Sequence, residues 1–136
     1  MLLICSFDIV TLSSSADSLC PGDGVVFTCV TDTGRLVWDI NHTALSFHSS
    51  AYLSIRTEVD VFNVTLLSIT GNTYHSTATA VHVPVSYNGT IVACRGQNIA
   101  NKQQRIILIG RNYDRSCCAK IIAMFIQSLH HLLLSM

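Results

Sequence analysis

Reactive side chains are frequent in this 136-residue chain, which holds six cysteines and six histidines. Thiolates and imidazoles are the usual protein ligands of zinc, and zinc sites space them in short patterns such as Cys-x-x-Cys or His-Glu-x-x-His. Neither spacing occurs here. The adjacent Cys117 and Cys118, with His130 and His131, are superficially finger-like, but two neighbouring cysteines seldom reach one tetrahedral ion. The sequence therefore predicts no metal site and surface positions for the histidines.

Catalytic motifs are also missing from the sequence. Serine, histidine and aspartate are present, but no Gly-x-Ser-x-Gly elbow surrounds a serine. Gly22 and Gly24 lie in a turn that leads into a strand, so no helix follows to hold a phosphate. Lys plus Arg (8) equal Asp plus Glu (8), which gives no basic surplus for binding nucleic acid. We predict a non-catalytic protein without a cofactor and with no nucleic-acid partner.

Modification signals indicate the secretory pathway. Asn-x-Ser/Thr sequons, the acceptors of N-linked glycans, begin at Asn41, Asn63 and Asn88. Cysteines without metal-site spacing indicate disulfides, which form and persist in oxidising compartments. Together these features predict a secreted or cell-surface glycoprotein.

Short strands are the elements that must position these residues. Apolar alternation broken by turn residues runs from Cys20 to Gly110, and helical periodicity is missing there. The predicted strands span residues 25–30, 35–40, 44–48, 52–61, 63–70, 74–83, 90–95 and 105–110. A turn at Gly71 and Asn72 makes a hairpin of the strands 63–70 and 74–83. This pattern predicts an all-β, two-sheet antiparallel sandwich.

Cys29, Trp38 and Cys94 are the residues expected at the centre of that sandwich. Val25 and Phe27 share the face of Cys29, Trp38 follows nine residues later, and Cys94 lies 65 residues after Cys29. A disulfide needs its Cα atoms within about 7 Å, so a Cys29–Cys94 bridge would place the two strands in facing sheets, with the indole packed across the sulfurs. The alternative is two buried free thiols and a core tryptophan in another kind of sandwich.

The order of these three residues resembles that of the immunoglobulin domain, with its cysteines on strands B and F and its tryptophan on strand C. The resemblance covers roughly residues 19–110, and the segment between Trp38 and Asn63 is similar to the extra edge strands of variable-type domains. One departure concerns residues 88–94, which read Asn-Gly-Thr-Ile-Val-Ala-Cys where the family has Asp-x-Gly-x-Tyr-x-Cys. Val92 takes the tyrosine position, so the family's tyrosine-to-backbone hydrogen bond is expected to be missing.

The resemblance implies a function in recognition. Immunoglobulin-like domains mostly act as binding modules in adhesion, receptor and immune-type proteins, so we expect an extracellular module that binds a protein or glycan through the loops at 31–34 and 96–102. Variable-type domains often dimerise through one sheet face. The corresponding face here is a second expected binding surface, and its outward residues are Val37, Asp39, Ile91 and Ala93. The alternatives are a structural spacer domain of a surface protein and a truncated gene product without a function of its own.

The two ends of the chain differ from the domain. Residues 1–18 resemble a partial signal peptide, with an apolar run and a candidate cleavage site at 14–16, but Asp8 interrupts the run and no basic residue precedes it. Residues 111–136 form a polar linker and an apolar tail, shorter than the roughly 20 residues of a membrane helix. An amphipathic helix, a degenerate anchor and non-native sequence from a faulty gene model all remain open, as does membrane association.

Cys20 is expected at the end of the sandwich opposite the binding loops. The last predicted strand runs back toward that end, which leads to the hypothesis that Cys20 bridges to Cys117 or Cys118 and clamps the tail to the domain. Pairing with Cys5, a bridge to another molecule and a free thiol are the alternatives.

Overall fold

The computed structural model describes residues 9–97, 101–108 and 133, and the account below concerns this part of the chain. Within it the chain forms strands and two single-turn 3-10 helices. The strands are β1 (Val10–Ser14), β2 (Val25–Thr31), β3 (Leu36–Ile40), β4 (Thr43–Phe47), β5 (Arg56–Val59), β6 (Phe62–Thr70), β7 (Thr73–Ala80), β8 (Ile91–Arg95) and β9 (Asn101–Arg105), and the 3-10 helices are Ser50–Tyr52 and Val85–Tyr87.

Two antiparallel sheets face each other. The first has the strand order β1-β2-β7-β6-β5 and the second β4-β3-β8-β9, and every neighbouring pair of strands is antiparallel. The predicted all-β, two-sheet sandwich is therefore confirmed. The hairpin predicted at Gly71 and Asn72 joins β6 to β7, with Thr70 opposite Thr73.

The core lies between the sheets and follows from strand alternation. Buried and less buried residues alternate along β2 and along β7, as expected when one face of each strand meets the opposite sheet. The largest fully buried side chains are Trp38, Phe47, Phe62, Leu36, Ile40, Leu66, Val37, Val64, Val83, Val92, Thr31 and Cys29.

Tight turns set the register of the hairpins. Residues 41–42 join β3 to β4, and both have positive φ, 48° at Asn41 and 67° at His42. Two successive positive φ values are typical of a type I′ turn, whose twist matches that of the flanking strands. Asp60, with φ 52°, begins the two-residue turn between β5 and β6.

Some elements differ from the sequence-based expectation. No strand is predicted before Cys20, yet Val10–Ser14 forms β1, pairs with β2 and buries Val10 in the core. The last described strand is Asn101–Arg105 rather than 105–110. The predicted strand at 52–61 is shorter, because a 3-10 helix occupies Ser50–Tyr52 and β5 spans Arg56–Val59. Removal of residues 1–18 as a leader stays a prediction.

The sandwich has two distinct ends. The loop end carries residues 32–35 between β2 and β3, the turn 71–72 and the start of the β8–β9 connection at Gly96. The base end carries residues 20–24, the turns 41–42 and 60–61, and the Val85–Tyr87 3-10 helix. The predicted linker and tail, 111–136, lie outside the described residues except for Leu133. Among the described residues, no helix is long and apolar enough to cross a membrane.

Candidate functional site

A pair of links between the sheets holds the centre of the sandwich. Cys29 on β2 and Cys94 on β8 form a disulfide with a Cα–Cα distance of 6.3 Å. Beside it, Trp38 Nε1 donates a hydrogen bond to Ser76 Oγ at 2.9 Å. Trp38 lies directly opposite Cys94 in one sheet, and Ser76 lies directly opposite Cys29 in the other. The four residues therefore form a closed rectangle that fixes the spacing of the sheets.

Hydrogen bonds between separate connections hold the loop end together. Thr33 Oγ1 accepts a hydrogen bond from the Gln97 amide at 2.9 Å and donates one to the Arg35 carbonyl at 3.0 Å. The Gly34 amide donates to the Asn72 carbonyl at 2.9 Å. The β2–β3 loop is thus tied both to the start of the β8–β9 connection and to the β6–β7 turn.

Gly96 allows these loops to approach closely. A Cβ atom at this position would lie 2.5 Å from Thr33 Oγ1 and 2.7 Å from Thr33 Cγ2, both closer than van der Waals contact. The loops predicted to bind a partner, 31–34 and 96–102, are brought together at Thr33, Gly96 and Gln97. Residues 98–100 of that prediction lie outside the described residues.

The loop end presents polar side chains to solvent. Arg35, Asn72 and Gln97 are exposed around the loop contact. Arg35 Nε also donates to Ser46 Oγ at 3.0 Å, which holds its guanidinium over the neighbouring strand β4. Hydrogen-bonding groups on a rigid frame are what a recognition surface needs for orientation and specificity.

The outer face of β3 and β8 is less open than strand alternation predicts. Val37 and Ala93 are only 1% and 5% exposed, whereas Ile91 is 39% exposed. Arg95 lies opposite Val37 and forms an ion pair with Asp39 at 3.1 Å, so its side chain crosses the face beside Val37. Of the four residues predicted to make a pairing surface, Ile91 offers most of the free apolar area. Dimerisation through this face stays a prediction.

A polar cluster at the base end ties three turns together, and sequence reasoning missed it. Asn41 Nδ2 donates to Asp60 Oδ2 at 3.2 Å. The Tyr87 hydroxyl also donates a hydrogen bond to the Asp60 carboxylate. The Tyr87 ring packs edge-on against the ring of Phe62. Burial raises the pKa of Tyr87, and the hydrogen bond to Asp60 and its negative charge raise it further. Asn41 and Asp60 are residue types typical of turns, which was the available signal in the sequence, but Tyr87 is distant from both along the chain.

The three predicted sequons lie in the half of the molecule nearest the base end. Asn41 is exposed in the β3–β4 turn, and Asn88 is exposed directly after the Val85–Tyr87 3-10 helix. Asn63 is the second residue of β6, where that strand leaves the base end, and lies opposite Glu58 and Thr79. The described residues of the loop end contain no sequon.

A cavity of about 700 Å³ opens at the base end on the outer face of β3 and β8. Its lining includes two of the sequon asparagines, and the described lining residues are Asp39, Asn41, His42, Asn88, Gly89, Thr90, Ile91 and Ala93. Ligand pockets in proteins commonly occupy about 300–1,000 Å³, so the volume suits a small ligand.

Cys20 is disulfide-bonded, which excludes the free thiol considered from the sequence. Cys29 and Cys94 pair with each other, and Cys5, Cys117 and Cys118 are not among the described residues. The predicted bridge of Cys20 to Cys117 or Cys118 stays a prediction, as do its alternatives, Cys5 and a bridge to another molecule. Among the described residues, no group of three or more His, Cys, Asp or Glu side chains could hold a metal ion.

Comparison with protein-family models and with curated proteins finds no match to the chain. The disulfide fits an oxidising, extracellular environment.

Proposed function

We propose that this protein is a non-catalytic extracellular recognition or adhesion module of the immunoglobulin-like class, which binds a protein or glycan partner through its loop end. The observation that carries the proposal is the one-sided distribution of the sequons at Asn41, Asn63 and Asn88. Glycans on these residues would cover the base half and leave the described part of the loop end bare. A structural spacer has no need to keep one end uncovered.

The strand order supports the immunoglobulin-like class. Immunoglobulin domains pair an A-B-E-D sheet with a C-F-G sheet, and variable-type domains extend the second sheet by further strands. The order β1-β2-β7-β6 matches the first sheet, and β3-β8-β9 matches the second, with β4 as an added edge. Here β5 extends the first sheet instead, next to β6. The cysteines on β2 and β8 and the tryptophan on β3 occupy the corresponding strands.

Polar contacts at the loop end support the choice of surface. Thr33 connects the β2–β3 loop to Gln97, and Gly34 connects it to Asn72. A preorganised loop loses less conformational entropy on binding than a free one, so more of its contact energy appears as affinity. This favours the loop end over the outer sheet face, where Val37 and Ala93 are already covered.

The test begins with the full chain expressed in eukaryotic cells and collected from the medium. Fluorescent beads coated with the secreted protein are then presented to beads carrying the same protein, to a panel of cultured cells and to an array of glycans. We expect specific binding to at least one of these probes. Retention inside the cell would contradict the extracellular placement, and secretion without binding to any probe would favour a spacer.

Matched variants locate the binding surface. Gln97→Arg places a long cation on the loop end, and Ser86→Arg places the same side chain on the exposed base end. We expect Gln97→Arg to reduce bead binding and Ser86→Arg to leave it unchanged. Equal loss in both variants, or loss in Ser86→Arg alone, would overturn the assignment of binding to the loop end.

A further inference from the structure

The lining of the base-end cavity combines apolar and polar residues. Ile91 on β8 contributes the exposed apolar part of the lining and is 39% exposed, whereas Ala93 is only 5% exposed. Asp39 and the exposed His42 contribute hydrogen-bonding groups from β3 and the β3–β4 turn. Sugars suit such a lining, because a pyranose ring has a face of C–H groups and a rim of hydroxyls.

Asn88 lines this cavity and is exposed to solvent. Its Oδ1 accepts a hydrogen bond from the Leu108 amide at 3.1 Å, which fixes the orientation of the carboxamide. Among the described residues, no hydrogen bond engages Asn88 Nδ2. Asn41 differs, because its Nδ2 donates to Asp60. A glycan attached to this carboxamide would therefore start from a residue that lines the cavity.

We propose that an N-linked glycan on Asn88 folds back into the base-end cavity and covers Ile91. In the attachment step, Asn88 Nδ2 forms a bond to the anomeric carbon of a lipid-pyrophosphate-linked oligosaccharide. The bond between that carbon and the pyrophosphate oxygen breaks, and the amide proton leaves with the lipid pyrophosphate. The first sugars then lie on Ile91, with hydroxyls directed at Asp39 and His42.

Covalent attachment to Asn88 makes weak sugar contacts sufficient to hold the glycan in the cavity. A ligand held on a short linker experiences an effective concentration in the millimolar range, so an affinity too low to capture a free sugar still keeps an attached one in place. The cavity is thereby filled by the chain's own modification, and the exposed apolar area of Ile91 is removed from water. This inference rests on the proposed extracellular function, since attachment requires passage through the secretory pathway.

The test compares three proteins secreted from eukaryotic cells: wild type, Asn88→Gln and Asn63→Gln. Asn63→Gln is the matched control, because it removes a sequon on the opposite sheet and leaves the cavity intact. Peptide mapping measures glycan occupancy, and hydroxyl-radical footprinting measures the labelling of Ile91. We expect Asn88 to be occupied, and the labelling of Ile91 to more than double in Asn88→Gln while remaining unchanged in Asn63→Gln.

A further variant separates the two sequons at the cavity. Thr43→Val destroys the Asn41 sequon but keeps the Asn41 side chain and its hydrogen bond to Asp60, and we expect Ile91 to stay protected in it. An unoccupied Asn88, or equal labelling of Ile91 with and without its glycan, would overturn the inference. If Asn63 carries glycan while Asn88 does not, the extracellular proposal stands and the cavity inference alone fails. If no sequon is occupied and the protein is not secreted, both fail.

Discussion

Trp38 donates a hydrogen bond from its indole to the hydroxyl of Ser76 on the opposite sheet, directly beside the Cys29–Cys94 disulfide. Both Trp38 and Ser76 are fully buried. Ser76 Oγ in turn donates to the Thr65 carbonyl at 2.8 Å. A buried serine hydroxyl thus satisfies the single polar atom of the tryptophan side chain and connects β3 to β7 and β6.

Ser76→Ala is expected to destabilise the fold. The substitution leaves the indole N–H buried without an acceptor, which costs about 1–3 kcal/mol of the free energy of unfolding. Urea denaturation followed by far-ultraviolet circular dichroism measures the loss. Ser13→Ala is the control, because Ser13 is an exposed serine on the edge strand β1, and its effect is expected within about 0.5 kcal/mol of zero. Equal effects of the two substitutions would contradict the importance of the Trp38–Ser76 bond.

Removing both cysteines of the central disulfide is expected to lower the free energy of unfolding more than Ser76→Ala does. The bridge closes a loop with a sequence separation of 65 residues, and a loop-closure model gives about 4 kcal/mol for its effect on the unfolded chain. Cys29→Ala with Cys94→Ala should therefore lower the free energy of unfolding by about that amount. The wild type treated with a reductant provides the comparison. A double variant as stable as the oxidised protein would show that the bridge contributes nothing to stability.

Tyr87→Phe is expected to change the response of the protein to alkali. The folded-state pKa of Tyr87 is raised by burial and by Asp60, so its contribution to stability is complete below the unfolded value of about 10 and is lost as the pH rises through the folded value. Wild-type stability should fall more steeply than that of Tyr87→Phe above about pH 10. Thermal unfolding measured across this range supplies the comparison.

Asp60→Asn provides a second variant of the same cluster. The substitution removes the negative charge that opposes ionisation of Tyr87, so the pKa of Tyr87 is expected to move down toward its ordinary value. An absorbance titration of the tyrosinate band should show one group titrating at lower pH than in the wild type. An unchanged titration would mean that burial alone accounts for the raised pKa.

Gly96→Ala is expected to disturb the loop end while leaving the sheets intact. The new methyl group would lie 2.5 Å from Thr33 Oγ1, and such overpacking typically costs about 1–3 kcal/mol. The Gln97 amide donates a hydrogen bond to Thr33 Oγ1, so its hydrogen exchange should accelerate when the loop end is disturbed. Thr33→Ala removes the two closest atoms, so adding Gly96→Ala to it should cost less stability than in the wild type. Additive effects would contradict the steric explanation.

The centre of the fold was predictable because its residues are distinctive. Short alternating strands separated by turns predicted the two-sheet sandwich, and the tryptophan and two cysteines on those strands predicted its centre. Strand β1 was not predicted because of its local sequence. Residues 10–14 alternate weakly and directly follow an apolar segment, so their sequence does not separate an edge strand from a leader.

Contacts between distant residues account for the other differences. Strand alternation predicts Val37 on the outer face of β3, yet Val37 is only 1% exposed. Arg95 lies opposite Val37 in the register of β3 and β8 and forms an ion pair with Asp39, and neither relationship can be read from the local sequence. The Asn41–Asp60–Tyr87 cluster joins three separate turns, and no spacing rule relates them. The Thr33–Gln97 bond likewise depends on how the β2–β3 loop meets the end of β8.

The placement of Trp38 also gives the protein an internal optical probe. Trp38 is the sole tryptophan of the chain, is fully buried and lies opposite the half-cystine Cys94. Disulfides quench indole emission at short range, so the native protein should be weakly fluorescent with a blue-shifted spectrum. Reduction of the bridge in the folded state would brighten the emission without shifting it, whereas unfolding would shift it to the red. One wavelength scan would therefore distinguish a reduced sandwich from an opened one.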